Sequence, residues 1–395
     1  MLDVWPAFPI IVLCHNANSI SPPHGVLNVI VALKCYDRVC EIDFSGIPES
    51  LLKRFAALTT PFPALTSLRL HSDEEWPLIL PSSFLGGFAP RLRSLRLYGI
   101  PFPAPQKLLL SCTELVTLCI ENTPDTGCVS PEEMAVCLSA LANVEEVALG
   151  FRRPLLPWHQ TSPNQPSLTR AVLPALTSLR FRGDCWFLEA VISRIDVPLL
   201  DHFDITFFNL TLSVTPLLCN LLSMEKFRGL HRAKLAFHDR VADITLSRQE
   251  QPADRKSSVL GVLCGGPGRQ LSSMTRICSS SLPPVSMLNH LHIHDSYWLA
   301  RLPDEMDSAE WLGLLLPFTS VENLYLSHKH ALYVTRALTE LTGERIAQVL
   351  PALQNIFLPR SPLPGADPEI IGQFITAREL SGRPVSVHYR DGIGW

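Results

Sequence analysis

The sequence predicts an α/β solenoid, a curved parallel sheet inside with helices and loops outside. Three observations predict it: a recurring apolar octet, a strand–helix alternation between its copies, and ample apolar material for a long core. Residues 63–70 read PALTSLRL and residues 174–181 read PALTSLRF, identical at seven of eight positions. Residues 90–97 read PRLRSLRL and residues 351–358 read PALQNIFL. Each fits L-x-x-L-x-L, the strand half of a leucine-rich repeat, whose three apolar residues enter the core. Of the 395 residues 47% are apolar and only 18% charged, which excludes a disordered chain. That length would otherwise suggest two or three domains, but one repeat array absorbs it as a single domain, 1–395.

Taken in order, the template places twelve units across 35–358, between an N-terminal cap at 1–34 and a C-terminal cap at 359–395. Their core positions are Val39/Ile42/Phe44, Leu65/Leu68/Leu70, Leu92/Leu95/Leu97, Leu115/Leu118/Ile120, Val144/Val147/Leu149, Leu176/Leu179/Phe181 and Leu200/Phe203/Ile205. A degenerate unit follows at Leu235/Phe237, with Arg232 where its first leucine belongs. Val259/Val262/Cys264, Leu288/Leu291/Ile293, Val321/Leu324/Leu326 and Leu353/Ile356/Leu358 complete the series. Successive middle positions lie from 23 residues apart (Leu95 to Leu118) to 33 (Leu291 to Leu324), enough for a helix or a loop in each interval.

The intervals carry helix signals. Ser130-Pro131-Glu132-Glu133 is a capping box with proline at the first helical position. A second helix starts at Pro48 and runs through Phe55, and others are expected near 105–111, 185–195, 215–224, 269–279, 308–316, 343–350 and 368–380, the last closed by Gly382. Strand and helix in alternation imply a parallel sheet covered by helices. Residues 154–168 and 247–258 read as exposed loops, the second following a hairpin built from 233–246.

The formal net charge of −4 gives no reason to expect nucleic acid. Eleven scattered cysteines, several at core positions, read as free thiols in a reducing compartment. The first residues lack a positive n-region and are broken by proline, so no signal peptide is expected, and His15, Asn16, Asn18, Ser19, Pro22 and Pro23 interrupt the uncharged run from Val4 to Leu33. No membrane partner is expected, and the location is cytoplasmic or nuclear.

Chemistry finds little to hold it. His290-Leu291-His292-Ile293-His294 puts three imidazoles on one strand face, a spacing unlike the usual zinc patterns. Cys264-Gly265-Gly266-Pro267-Gly268 lacks the lysine and the spacing of a phosphate loop, and reads as a turn. No G-x-S-x-G, H-E-x-x-H or Cys-x-x-Cys occurs. The sequence therefore predicts no catalytic residue, metal or cofactor.

The residues between and beside the last two core positions of each unit face the open side of the sheet. They are Arg69, His71, Arg96, Tyr98, Arg180, Arg182, His202, Asp204, His290, His292, His294 and Tyr325. Arg, Tyr and His on a rigid sheet suit recognition of a protein partner of acidic character.

Asp37-Arg38-Val39-Cys40-Glu41-Ile42, the block Phe84–Leu95 (FLGGFAPRLRSL), Pro198–Ile205 (PLLDHFDI) and Gln373–Gly382 (QFITARELSG) carry a further likeness. In combination they resemble the F-box-associated leucine-rich-repeat proteins of basidiomycete fungi, over nearly the whole chain. The resemblance implies the substrate receptor of a cullin-RING ubiquitin ligase, with the repeats on the target and an F-box on the adaptor. No F-box helices with their Leu-Pro opening precede the first strand here. Adaptor binding is thus expected only if an F-box lies upstream. Otherwise the repeats form a scaffold or decoy that competes with full-length relatives.

Overall fold

The L-x-x-L-x-L octets fold as parallel strands. The computed structural model describes residues 8–15, 24–46, 49–73, 78–125, 128–155, 170–208, 229–238, 240–248, 258–264, 269–280, 283–295, 307–341, 343, 345–360 and 368–390. The chain divides into two compact units, Met1–Asp201 and His202–Trp395. Each is a mixed α/β ladder of the leucine-rich-repeat kind.

The first unit contains β1 (Ile10–His15), β2 (Val39–Ser45), β3 (Ser67–His71), β4 (Ser94–Tyr98), β5 (Thr117–Thr123), β6 (Glu146–Phe151), β7 (Ala171–Val172), β8 (Ser178–Gly183) and β9 (Ile195–Asp196). β7 and β9 form a separate small pair, and the others lie side by side in chain order, all parallel. Ile42, Leu68, Leu95, Leu118, Val147 and Leu179 meet in successive register and are all buried. This is the row that the middle leucines predict. Between the strands come α1 (His24–Leu33), α2 (Glu49–Ala56), α3 (Gln106–Leu109), α4 (Pro131–Ser139) and α5 (Cys185–Ile192). The capping box of α4 is present: Glu133 N–H donates to Ser130 Oγ at 3.2 Å and Ser130 N–H to Glu133 Oε2 at 3.4 Å. Edge-to-face phenylalanines Phe44, Phe55, Phe84 and Phe102 tie strands to helices, with centroids 5.3, 5.4 and 6.2 Å apart along the chain of rings. α1, in the expected N-terminal cap, has no counterpart in the sequence reading.

The second unit contains β10 (His202–Phe207), β11 (Arg232–Phe237), β12 (Val241–Ser247), β13 (Ser258–Leu263), β14 (His290–Asp295), β15 (Asn323–Leu326), β16 (Asn355–Pro359) and β17 (Ser386–Arg390). Their order is β10-β13-β12-β11-β14-β15-β16-β17. The expected hairpin is there, β11 antiparallel to β12, but it reorders the sheet. β13 returns antiparallel to β12 and parallel to β10. A uniformly parallel series in chain order is therefore corrected at this point.

Two repeat frames are corrected with it. Leu235 pairs in register with Ile293, the third core position of its unit, so the earlier unit is Leu230/Ala233/Leu235. All three are buried, and the leucine missing at Arg232 is Leu230. Likewise Leu260, not Cys264, stands opposite Ile205, while Val259 faces the open side beside Asp204. An antiparallel insertion breaks the fixed spacing on which the template depends.

Helices α6 (Gln270–Ser280), α7 (Ser308–Leu315), α8 (His328–Thr339), α9 (Arg345–Gln348) and α10 (Pro368–Leu380) belong to this unit. α6, α7, α8 and α10 pack in sequence along one side. Fully buried Trp311 of α7 contacts Phe237 of β11 and His330 of α8, at centroid distances of 5.9 and 5.4 Å. On α10, Arg378 is 0% exposed and its guanidinium donates to the carbonyls of Ile346, Leu350 and Leu353 at 2.9, 3.3 and 3.2 Å. Gly382, at φ 73°, ends that helix as expected. α8 has no counterpart in the sequence reading. The helix expected at 215–224, the glycine turn 265–268 and most of the two loops (156–168 and 249–257) lie outside the described residues.

Candidate interaction faces

All twelve open-face residues read from the sequence are half-buried or exposed, while the strand residues between them are buried. Alternation of side chains along a strand is the cause. Each unit presents its own face.

In the first unit one register row reads Leu13, Asp43, Arg69, Arg96, Cys119, Ala148, Arg180 across neighbouring strands. Arg69 and Arg96 stand opposite each other, as the repeats predict. Like charges directly opposed on a sheet destabilise it unless compensated. Carboxylates of the chain supply the compensation: Arg69 lies 3.9 Å from Asp43, Arg96 3.3 Å from Glu146 and Arg180 3.7 Å from Glu121. The row is a chequerboard of charge.

The next row reads His15, Ser45, His71, Tyr98, Glu121. His71 links Ser45 Oγ through Nδ1 at 3.2 Å and Asp73 through Nε2 at 3.0 Å, and meets Tyr98 edge-to-face at 4.6 Å. Together the two rows line an open groove of about 510 Å³ that contains Arg69, His71, Arg96 and Tyr98. Gly99 closes the strand beneath Tyr98 at φ 67°, where a Cβ would fall within 2.0 Å of the Ser72 carbonyl oxygen, so only glycine fits. The Cys119 thiol sits in the groove floor, 3% exposed, and accepts from Arg96 Nη1 at 3.5 Å. Burial pushes it up to about 11, so it stays protonated and is a poor nucleophile. Every cysteine among the described residues is a free thiol.

In the second unit the corresponding row reads Asp204, Val259, Thr245, Lys234, His292, Tyr325, Phe357, His388. Its last four members stack. His292 and Tyr325 have centroids 4.0 Å apart at 5°, Tyr325 and Phe357 4.4 Å at 7°, Phe357 and His388 5.0 Å at 23°. His290 stacks on Tyr325 at 6.1 Å and meets its hydroxyl at 3.4 Å. An amide chain runs alongside, with His388 Nε2 3.1 Å from Asn355 Oδ1 and Asn355 Nδ2 donating to Asn323 Oδ1 at 3.0 Å. The Arg390 guanidinium lies 5.1 Å from the Phe357 centroid and 5.6 Å from that of Tyr325.

Burial first, then the charges of Arg232, His290, Lys234 and Arg390, hold the His292 imidazole down to about 3. It is neutral at physiological pH, as its stack requires. Lys234 is also lowered by burial, against the opposing pull of Asp243. Asp243 itself is 2.8 Å from His238 Nε2. His294 stands opposite Ala236, and His202 opens β10. Among the described residues no group of three or more His, Cys, Asp or Glu side chains is placed to hold a metal ion.

Sequence reading missed the answering carboxylates Asp43, Glu121 and Glu146, and the members Phe357, His388 and Arg390. Asp43 and Phe357 occupy the same position between two core residues as Arg69, so the signal for them was present.

No family model matches the chain, and no curated protein matches it. Among solved structures it is similar to the leucine-rich repeat-containing protein LegL7 of Legionella pneumophila, at 14% identity over 85% of this chain and 95% of that one, with a TM-score of 0.29. A likeness of that degree adds nothing to the fold read from the strand ladder.

Proposed function

We propose that the chain is a protein-binding scaffold, not an enzyme, which grips a partner on the open faces of its sheet strands. The observation that carries this reading is the display of Arg, His and Tyr at successive register positions on rigid parallel strands, the residue types that dominate binding hot spots. The faces offer hydrogen-bond donors and ring surface in fixed geometry. Among the described residues no helix is long and apolar enough to cross a membrane. We place the protein in the cytoplasm or nucleus, as one repeat domain, with an acidic protein and not nucleic acid as its partner.

The finer reading rests on the resemblance to fungal F-box-associated repeat proteins: the repeats hold the target of a cullin-RING ubiquitin ligase. A scaffold or decoy without a ligase role is the alternative. Affinity capture of the full chain separates them, since adaptor and cullin co-purify only with a ligase subunit. For the scaffold reading itself, Arg69→Ala with Arg96→Ala weakens the captured partner at low salt without unfolding the chain. Unchanged affinity in that double variant would make the first unit's row a solvated face.

A further inference from the structure

The stack in the second unit has an orientation with consequences for what can touch it. Tyr325 is covered on one face by His292 and on the other by Phe357, and Phe357 by Tyr325 and His388. The centroid spacings match the separation of strands in a sheet, about 4.8 Å, so the rings stand upright and turn their edges outward. An aromatic ring is negative on its faces and positive along its edge. The C–H edges of the rings therefore give the outward rim weakly positive stretches, Phe357 above all. No nucleobase can stack on its two inner rings, because both faces of each are taken.

Cations border the strip on both sides. Arg232 and Lys234 from β11 and Arg390 from β17 all bear on the His292 ring. Arg390 makes no ion pair among the described residues and is held against Tyr325 and Phe357. Of the carboxylates on the same face, Asp243 pairs with His238 and also pulls on Lys234, and Asp204 lies three strands from Lys234, about 14 Å at the usual spacing.

We propose that this rim is the docking strip for an acidic peptide segment of the partner protein. Its carboxylates pair with Arg390, which takes them bidentately, while its side-chain stems lie on the ring edges. The inference rests on the scaffold reading and names the face and the chemistry. It also differs from the first unit, where an incoming carboxylate competes with Asp43, Glu121 and Glu146.

Fluorescence anisotropy on the full chain tests it, with a fluorescein-labelled deca-glutamate peptide and, in parallel, an oligouridine of equal length. Wild type binds the peptide more tightly than the oligouridine. Arg390→Glu weakens peptide binding by about tenfold or more, since it sets like charge against the ligand. Phe357→Ala weakens it by less. Arg336→Glu, the same charge change at an exposed position of α8, leaves it unchanged. Absence of peptide binding, tighter binding of the oligouridine, or equal losses for Arg336→Glu and Arg390→Glu would overturn the proposal. If Arg390→Glu has no effect while the Arg69/Arg96 double variant loses a captured partner, the strip is wrong and the scaffold reading stands. If a captured partner survives both, neither the strip nor the first unit's row grips it, and the assignment of binding to these open faces falls as well.

Discussion

On the open face of the first unit, Arg69 and Arg96 stand opposite each other and each is answered by a carboxylate of the chain itself. On that of the second, Tyr325 and Phe357 stand opposite each other and answer one another. The backbone poses the same question in both places, how to seat long side chains on strands under 5 Å apart, about 4.8 Å in a regular sheet. Opposite charge resolves it in the first case and ring stacking in the second. The difference shows that a count of arginines does not locate the field a partner feels. Arginines paired with neighbouring acids offer shape and hydrogen bonds, whereas Arg390 against stacked rings keeps its charge available.

The largest effect should be the same in both units and lies under the faces. Leu95→Ala and Leu324→Ala each remove a side chain of 0% exposure and should cost about 2–5 kcal/mol in denaturant unfolding. A cost under about 1 kcal/mol in only one unit would break the equivalence of the two ladders. Next in size, Tyr325→Ala should cost about 1–3 kcal/mol, from two flanking stacking contacts of about 0.5–1.5 each. Tyr98→Ala removes one such contact, to His71, and should cost about 0.5–1.5 kcal/mol. Equal losses would mean that the stack adds nothing beyond a pair.

One group in each unit should respond to pH in a direction opposite to the other. His292 is held down to about 3, so between that value and 6.5 the unfolded chain takes up the proton first. Its contribution is full above 6.5 and is lost as pH falls towards 3. Glu189 on α5 is raised by burial to about 7, so the folded chain keeps its proton longer than the unfolded one. Its contribution is full below 4.5 and is lost as pH rises towards 7. Denaturation midpoints at pH 5 and pH 8 check both: His292→Phe should narrow the acid loss, and Glu189→Gln should raise stability at pH 8. The smallest effect belongs to the Arg69→Ala, Arg96→Ala double variant. Both guanidinium groups are solvent-exposed, so stability should change by about 1 kcal/mol or less, and less again at high salt.

The placement of Arg69 beside Arg96 was legible because the octets PALTSLRL and PRLRSLRL set identical residues in identical frame. Asp43, Glu121 and Glu146 were equally legible by position, and became visible only when the side chains between them were in place. His388 and Arg390 were not. Their strand SVHYR carries no leucine pattern; it is laddered to β16, and Arg378, buried on the helix before it, helps fasten that terminal unit. The Gln373–Gly382 block that carries the family likeness thus includes a residue whose work is internal. The position of β13 escaped for another reason: order along the chain was read as order in space, which holds for neighbours in most sheets but not across a hairpin that steps over a place.

That displaced strand sets a schedule. In a ladder where each strand lies beside its predecessor, structure can spread from any unit to the next, and every contact closes a short loop. Here β11 lies three places from β10, and the place next to β10 is filled only when β13 arrives. Closing β10 against β13 pairs Asp204 with Val259, a far longer loop than the β11–β12 hairpin needs. Propagation from β10 must therefore wait for the three-strand insert to complete itself, and the long closure of β10 on β13 should be the slowest pairing of the second unit.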